Sequence, residues 1–287
     1  MSIQERQNQP KSLAKLAAQR LLYQRAKWMR NIDIVLILIV VILGLSASVV
    51  ENQGFSYFVL LVSLITWFLD QQVLKRKESA SKKEAATIQE DFDCFVLNLP
   101  WPAQKGIQYP TPDRVRQLTI EAKSKPKVSE GLRDWYPPDS IPNDPILSKI
   151  HCQRMNSWWD VNLRRSWSKV LKVSFWIFAV SVLCLSVLTG ITVAKLIAII
   201  ASNIRVLAWG LGEIKNQDEA IERVDRIHRY LSRFSDENSP SPSDIRSIQD
   251  EIFEHRRSNP PVPDWFYWRK RDSQEQEAAK PYGRKTT

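Results

Sequence analysis

Glycine is scarce in this chain, with eight among 287 residues. None falls in the G-x-G-x-x-G or G-x-x-x-x-G-K-S/T pattern whose backbone amides cradle phosphates, so neither a dinucleotide fold nor a P-loop is expected. Histidine is scarcer still: His151, His228 and His255 are scattered and form no paired-ligand motif. The three cysteines, Cys94, Cys152 and Cys184, match no zinc spacing, and Cys184 falls inside an apolar run. A metal site and a disulfide framework are both excluded on that count, and a reducing compartment fits. No nucleophile elbow is present. Asp91 and Asp93 sit two apart, a spacing too common to define an acid–base pair. These absences point to a protein that is not an enzyme and carries no cofactor.

Long apolar runs dominate what is there. A mean hydropathy of -0.30 hides them, because they are averaged with very polar flanks. Four stand out: Ile34–Val50, the shorter Phe55–Leu69, Val173–Leu188 and Ile191–Leu211. A helix needs roughly 17–25 apolar residues to cross a hydrocarbon core of about 30 Å. The breaks at Glu51–Gly54 and Thr189–Gly190 are too short to hold folded structure. The pattern therefore predicts a mostly α protein with four transmembrane helices in two hairpins. The first run begins after about thirty residues and is followed at once by another, so it is not a cleaved signal peptide.

Charge sets the orientation. Arg20, Arg25, Lys27 and Arg30 precede the first run, and Lys75, Arg76 and Lys77 follow the second. Arg164, Arg165, Lys169 and Lys172 precede the third, and Lys215 follows the fourth, whereas the two short turns carry no base. Basic residues at span ends mark the cytoplasmic side, which puts both termini and the central segment in the cytosol of an inner-membrane protein. Trp28, Trp67, Trp167 and Trp209 fall at the same boundary, as an interfacial belt does. The net charge of +10 is explained by these loops facing anionic lipid, without a nucleic-acid partner.

The chain divides accordingly. Residues 1–33 form a basic amphipathic helix, either lying on the headgroup layer or extending the first span into water. Residues 34–69 are the first hairpin and 70–169 a cytoplasmic insert of about 100 residues, one-domain sized. In it, Thr111-Pro112-Asp113 reads as the start of a helix through Lys123, and Trp135 to Pro145 as an extended connector. Residues 170–211 are the second hairpin. Residues 212–271 are cytoplasmic helices with an aromatic cluster, and 272–287 a disordered tail. Ile214, Ile221, Val224, His228, Leu231 and Phe234 mark an amphipathic helix that pairs with copies of itself or packs on the insert. Ser243 is the expected cap of a further helix through Arg257.

Two sets of residues carry functional weight. The fourth apolar run holds Lys195, Ser202, Asn203 and Arg205. Ionisable groups at membrane depth are costly and face protein or a watery path, so these four are candidate pore-lining residues. Snorkelling of Lys195 and Arg205 to opposite headgroup layers is the alternative. Gly190, Ala194, Ala198, Ala201 and Ala208 form a neighbouring strip suited to close helix approach. The second set is Trp135, Tyr136, Arg154, Trp158, Trp159, Arg164 and Arg165. Rings stack on bases and guanidinium groups pair with phosphates, so these seven are the candidate ligand site. In the competing reading the rings are core and Arg154 pairs with Asp160 or another acid.

Several stretches resemble the SMODS-associating four-transmembrane effector family. They are Ile88-Gln89-Glu90-Asp91-Phe92-Asp93-Cys94 with Leu99-Pro100-Trp101, and Asp134-Trp135-Tyr136-Pro137. Cys152-Gln153-Arg154-Met155-Asn156 with Trp158-Trp159-Asp160 follows, then Gln249-Asp250 to Arg256 and Pro263-Asp264-Trp265-Phe266-Tyr267. The resemblance implies a bacterial anti-phage role, in which a cyclic oligonucleotide made on infection activates a membrane protein that permeabilises the inner membrane. It brings no catalytic residues. The expected partners are that messenger, the lipid bilayer and further copies of the chain as a homo-oligomer. The alternative is a non-enzymatic membrane scaffold that recruits a cytoplasmic partner.

Overall fold

The computed structural model describes residues 1–50, 52–102, 106–137, 141–142, 144–188, 190, 192–193, 196–197, 200, 204–235, 238 and 240–270, with the backbone alone at 48, 49, 185, 186 and 205. Among the described residues the chain is helical, with one isolated bridge between Ser235 and Asn238 and no strand. The helices are α1 (Ile3–Gln7), α2 (Pro10–Val50), α3 (Gln53–Leu69), α4 (Lys75–Val96), α5 (Pro112–Lys123), α6 (Pro126–Ser129), α7 (Pro145–Leu188), α8 (Ile204–Leu231) and α9 (Pro242–Ser258). A last helical segment covers 264–270.

Two helices are much longer than a membrane is thick. α2 has 41 residues and α7 has 44, which at 1.5 Å per residue is about 60 and 65 Å. Each runs unbroken from a polar body into an apolar stretch. α3 and α4 do the same across a π-helical turn, Asp70–Leu74. By length and composition Pro10–Ala47, Gln53–Val96 and Pro145–Cys184 can cross a membrane. Their apolar portions expose Leu38, Leu60, Trp176 and Val180 outward, as helices in lipid do. Of the fourth run, residues 191, 194–195, 198–199 and 201–203 lie outside the described residues; its end nearest the polar body is the start of α8. There Gly210 approaches α7 so closely that a Cβ would sit 2.8 Å from the Phe175 ring.

The polar body has three apolar clusters. In the largest, Leu16, Leu21 and Leu22 of α2 pack with Ile88, Phe92 and Val96 of α4, Leu118 of α5 and Tyr136. Leu16, Ala17 and Leu21 of the N-terminal helix are thus buried in protein, out of reach of headgroups, whereas Trp28 is exposed. The second joins Ile150 of α7, Ile227 and Leu231 of α8, and Ile245, Ile248 and Ile252 of α9. This packing accounts for the periodicity of α8 within one chain. The third sets Leu163 and Trp167 of α7 against Val262, Phe266 and Tyr267.

The caps follow local chemistry. Asn52 opens α3 by accepting from the Phe55 amide at 3.0 Å. Pro112 takes the first turn of α5, although Thr111 contributes no side-chain cap bond. α9 is capped by Ser241 and not by Ser243. The Ser241 hydroxyl accepts from the Asp244 amide at 3.2 Å, and the Asp244 carboxylate accepts from the Ser241 amide at 3.0 Å. That reciprocal pair requires an acid at the third helical position, and Pro242 prefers the first, so the register is fixed one turn-residue pair earlier.

Candidate functional site

Buried polar groups in the body must find partners, because an unpaired one costs more than its bond is worth. Here they form two connected sets that meet on α9. The first lies between α4 and α9. Glu90 and Asp93, three apart on α4, have no solvent exposure. Asp93 accepts from Arg256, from the Tyr136 hydroxyl at 3.0 Å and from Gln249 at 3.1 Å. Glu90 accepts from Arg246 and from Gln249 at 2.9 Å. Asn156 of α7 donates to the Tyr136 oxygen at 3.0 Å, and Gln153 to Gln249 at 3.0 Å. Gln7 brackets the Tyr136 backbone, accepting from its amide at 2.8 Å and donating to its carbonyl at 3.0 Å.

The second set runs along the roots of the membrane helices. Arg30 of α2 forms an ion pair with Glu213 of α8. Gln217 donates to Glu213 at 2.9 Å and accepts from Arg164 of α7 at 3.0 Å. Arg164 also donates to the Pro260 carbonyl at 2.9 Å and to Asp160 at 2.8 Å. The same Asp160 oxygen meets His255 Nε2 of α9. One line of bonds therefore links α2, α8, α7 and α9 just outside the apolar stretches, and residue 255 of the first set's helix is its end.

Electrostatics follow from this burial. Burial pushes the Glu90 carboxyl up despite the opposing charge of Arg246. Burial and then Asp93 raise the Tyr136 phenol. Burial opposes ionisation of Asp160, but Arg164 and His255 outweigh it and hold that carboxyl well below the usual range. His255 is pushed down by burial against the pull of Asp160, and its Nδ1 has no hydrogen-bond partner among the described residues.

Two cavities flank the second set. One of about 790 Å³ lies between α2, α3 and α8 and is lined by Ser56, Ser63, Asp70 and Ala208 among apolar neighbours. The other, about 440 Å³, is lined by Arg30, Asp33, Glu213 and Arg223. Asp70, Lys75, Ala208 and Trp209 border both, so they adjoin.

The structure does not gather the seven candidate ligand residues into one pocket. Tyr136 is wholly buried and Arg164 is 6% exposed, both spent on the polar sets. Trp135 stands edge-on to Phe92, 6.4 Å between centroids, with the Arg20 guanidinium 6.0 Å from its ring. Trp159 leans on Tyr267 at 6.1 Å. Arg165 pairs with Asp225 at 2.7 Å. Asp160 does take an arginine, but Arg164 one turn on and not Arg154. Arg154, Trp158 and Arg165 remain open to solvent in whole or part. Spaced by four and seven residues, they share one stripe of α7. Lys195, Ser202 and Asn203 lie outside the described residues, as does the Arg205 side chain; Trp209 borders both cavities. Sequence reasoning missed Glu90, Arg246, Gln249 and Arg256 as a unit. The signal was there in polar residues at core positions of α4 and α9.

Long helices rooted in a polar body, with four apolar runs, define a multi-pass helical membrane protein whose soluble part is built directly on its spans. The comparisons make this specific. The family model for the SMODS-associating 4TM effector domain matches residues 1–282, and the chain belongs to that family. It is also similar to a probable CBASS effector molecule of Bacillus cereus (strain VD146), 26% identical over an alignment of 284 residues that covers 92% of this chain and 91% of that protein. No solved structure matches.

Proposed function

We propose that this chain is the membrane effector of a nucleotide-signalled anti-phage defence, a non-catalytic protein that a cyclic oligonucleotide switches on to permeabilise the bacterial inner membrane. The observation that carries the reading is mechanical. α2 and α7 pass without a break from body to membrane, α8 leaves the membrane into the body, and their roots are tied by the Arg30–Glu213–Gln217–Arg164–Asp160–His255 line. A ligand acts only through different affinity for two states; any state in which the body repacks also moves the spans. The positive-inside pattern places the body in the cytosol, where the messenger is made. The stripe of Arg154, Trp158 and Arg165 on α7 supplies a ring between two guanidinium groups about 16 Å apart, chemistry that suits bases and phosphates. Further copies complete the lesion as a homo-oligomer.

Proteoliposomes with a trapped dye test this. Dye should escape on addition of one cyclic oligonucleotide and stay inside without it, and Trp158→Ala should abolish the response while insertion is retained. Escape without nucleotide, or silence with every cyclic di- and trinucleotide tried, overturns the reading in favour of a scaffold.

A further inference from the structure

Residues 264–270 have no part in either polar set, yet they are firmly placed. Phe266 is buried against Leu163 and Trp167 of α7, with its ring 5.2 Å from that of Trp167. Trp265 stands edge-on to Trp167 at 5.8 Å. At the other side Lys27 of α2 forms an ion pair with Asp264 and lies 5.7 Å from the Tyr267 ring. The segment is thus clamped to the roots of two membrane helices. Their hydrocarbon portions begin near Ile34 and Val170–Val173, three to seven residues on, or about 5–10 Å along the axis. That is the depth of the headgroup layer, which adds about 5–8 Å on each side of the core.

With Phe266 turned inward, the segment presents large rings and bases outward. Trp265 is 59% and Trp268 41% exposed, Arg269 is exposed and Lys270 partly so. Trp28, one residue from the clamping Lys27, is 59% exposed as well. Exposed indoles at headgroup depth are the composition of an interfacial belt, and bases beside them attract anionic lipid. Trp265, Trp268 and Arg269, at spacings of three and four, share the outward face of this short helix, and rings beside cations on one exposed face suit the membrane interface.

We propose that residues 264–270 are an interfacial anchor that binds the anionic phospholipid headgroups of the leaflet next to the body. The anchor sits four residues beyond Pro260, whose carbonyl accepts from Arg164. The anchor therefore lies next to the line that ties the membrane roots. The inference needs only that the chain spans a membrane and does not depend on nucleotide activation.

Spin-label accessibility in nanodiscs tests it. Cys94 and Cys152 are buried and Cys184 is exposed, so Cys184→Ser leaves a background for one label at Trp268→Cys and, as control, at exposed Glu251→Cys. In phosphatidylcholine with phosphatidylglycerol, the label at 268 should collide more with oxygen than with an aqueous nickel chelate, and the label at 251 the reverse. Arg269→Glu with Lys270→Glu, or omission of phosphatidylglycerol, should move the 268 ratio several-fold toward the 251 value. A 268 label as water-accessible as 251, or closed to both reagents because protein covers it, overturns the proposal. So does a ratio indifferent to lipid charge and to the charge reversal.

Discussion

Glu213→Gln is the sharpest test of the root-tying line. The pair it breaks is secluded: the Arg30 side chain is 11% exposed and that of Glu213 7%. The glutamine keeps the shape and still accepts from Gln217, so the change removes one charge and strands the other. A buried pair broken on one side destabilises its arrangement by about 3–5 kcal/mol. At about 1.4 kcal/mol per decade, even the lower figure shifts the balance between the tied state and any state that hydrates Arg30 by roughly 100-fold. The assay is dye release from proteoliposomes without nucleotide, with insertion checked by gel filtration and circular dichroism. Glu213→Gln should leak where the parent chain is tight. The double variant Arg30→Met with Glu213→Leu removes both charges, which is often neutral or stabilising, and should be tight again. If the single variant inserts normally and is as tight as the parent, the line does not hold the resting state and the coupling argument fails.

Other expectations follow from the same geometry. Tyr136→Phe strands Asp93 and Asn156 without a hydroxyl and should lower stability by about 1–3 kcal/mol, read as a drop in thermal midpoint with the helical signal intact. Arg256→Met leaves Asp93 buried beside Gln249 without its cation and should lose about 3–5 kcal/mol, enough to unfold the body in the same melt. Gly210→Val sets a branched side chain against the Phe175 ring; overpacking of this kind costs about 1–3 kcal/mol, and cross-linking between α7 and α8 should report a widened hairpin. The pH dependence centres on His255, which faces Asp160 and Arg164 of α7 and Arg223 of α8. Its proton affinity is lower folded than unfolded, so its contribution to stability is present above about pH 6.5 and is lost as pH falls through the depressed folded value. A thermal midpoint that declines below pH 6.5 in the parent, and a flatter profile in His255→Gln, check this; identical profiles refute it.

The helical architecture was open to sequence reading because its signals are long and redundant. A run of seventeen uncharged, mostly apolar residues from Ile34 to Val50, with bases only on one side, admits few interpretations. The polar sets were hidden for the opposite reason. Asp93 was visible beside Asp91, but its working neighbour is Glu90, three residues back on the buried face of α4. Their cations, Arg246 for Glu90 and Arg256 for Asp93, arrive from α9, more than 150 residues away in sequence. Nothing local distinguishes Arg256, which enters the core, from Arg257, which pairs with Glu254. By composition Tyr136 and Arg164 look like ligand residues, and composition cannot tell a ring that stacks on a base from one that fills a core. The π-helical turn at Asp70–Leu74 had no marker either, since no proline or glycine interrupts it.

α2 runs without a break past Asp33, whose side chain is 6% exposed at the level of the tied roots. From there to Val50 is about 25 Å, so each degree of rocking sweeps the far tip by about 0.4 Å. Ten degrees, an angle that ordinary repacking of side chains allows, opens about 4 Å at the distant face of the bilayer. On the proposed reading, leverage of this sort would turn a modest rearrangement at the near end into a larger displacement at the far tip, with no break in the helix to absorb it.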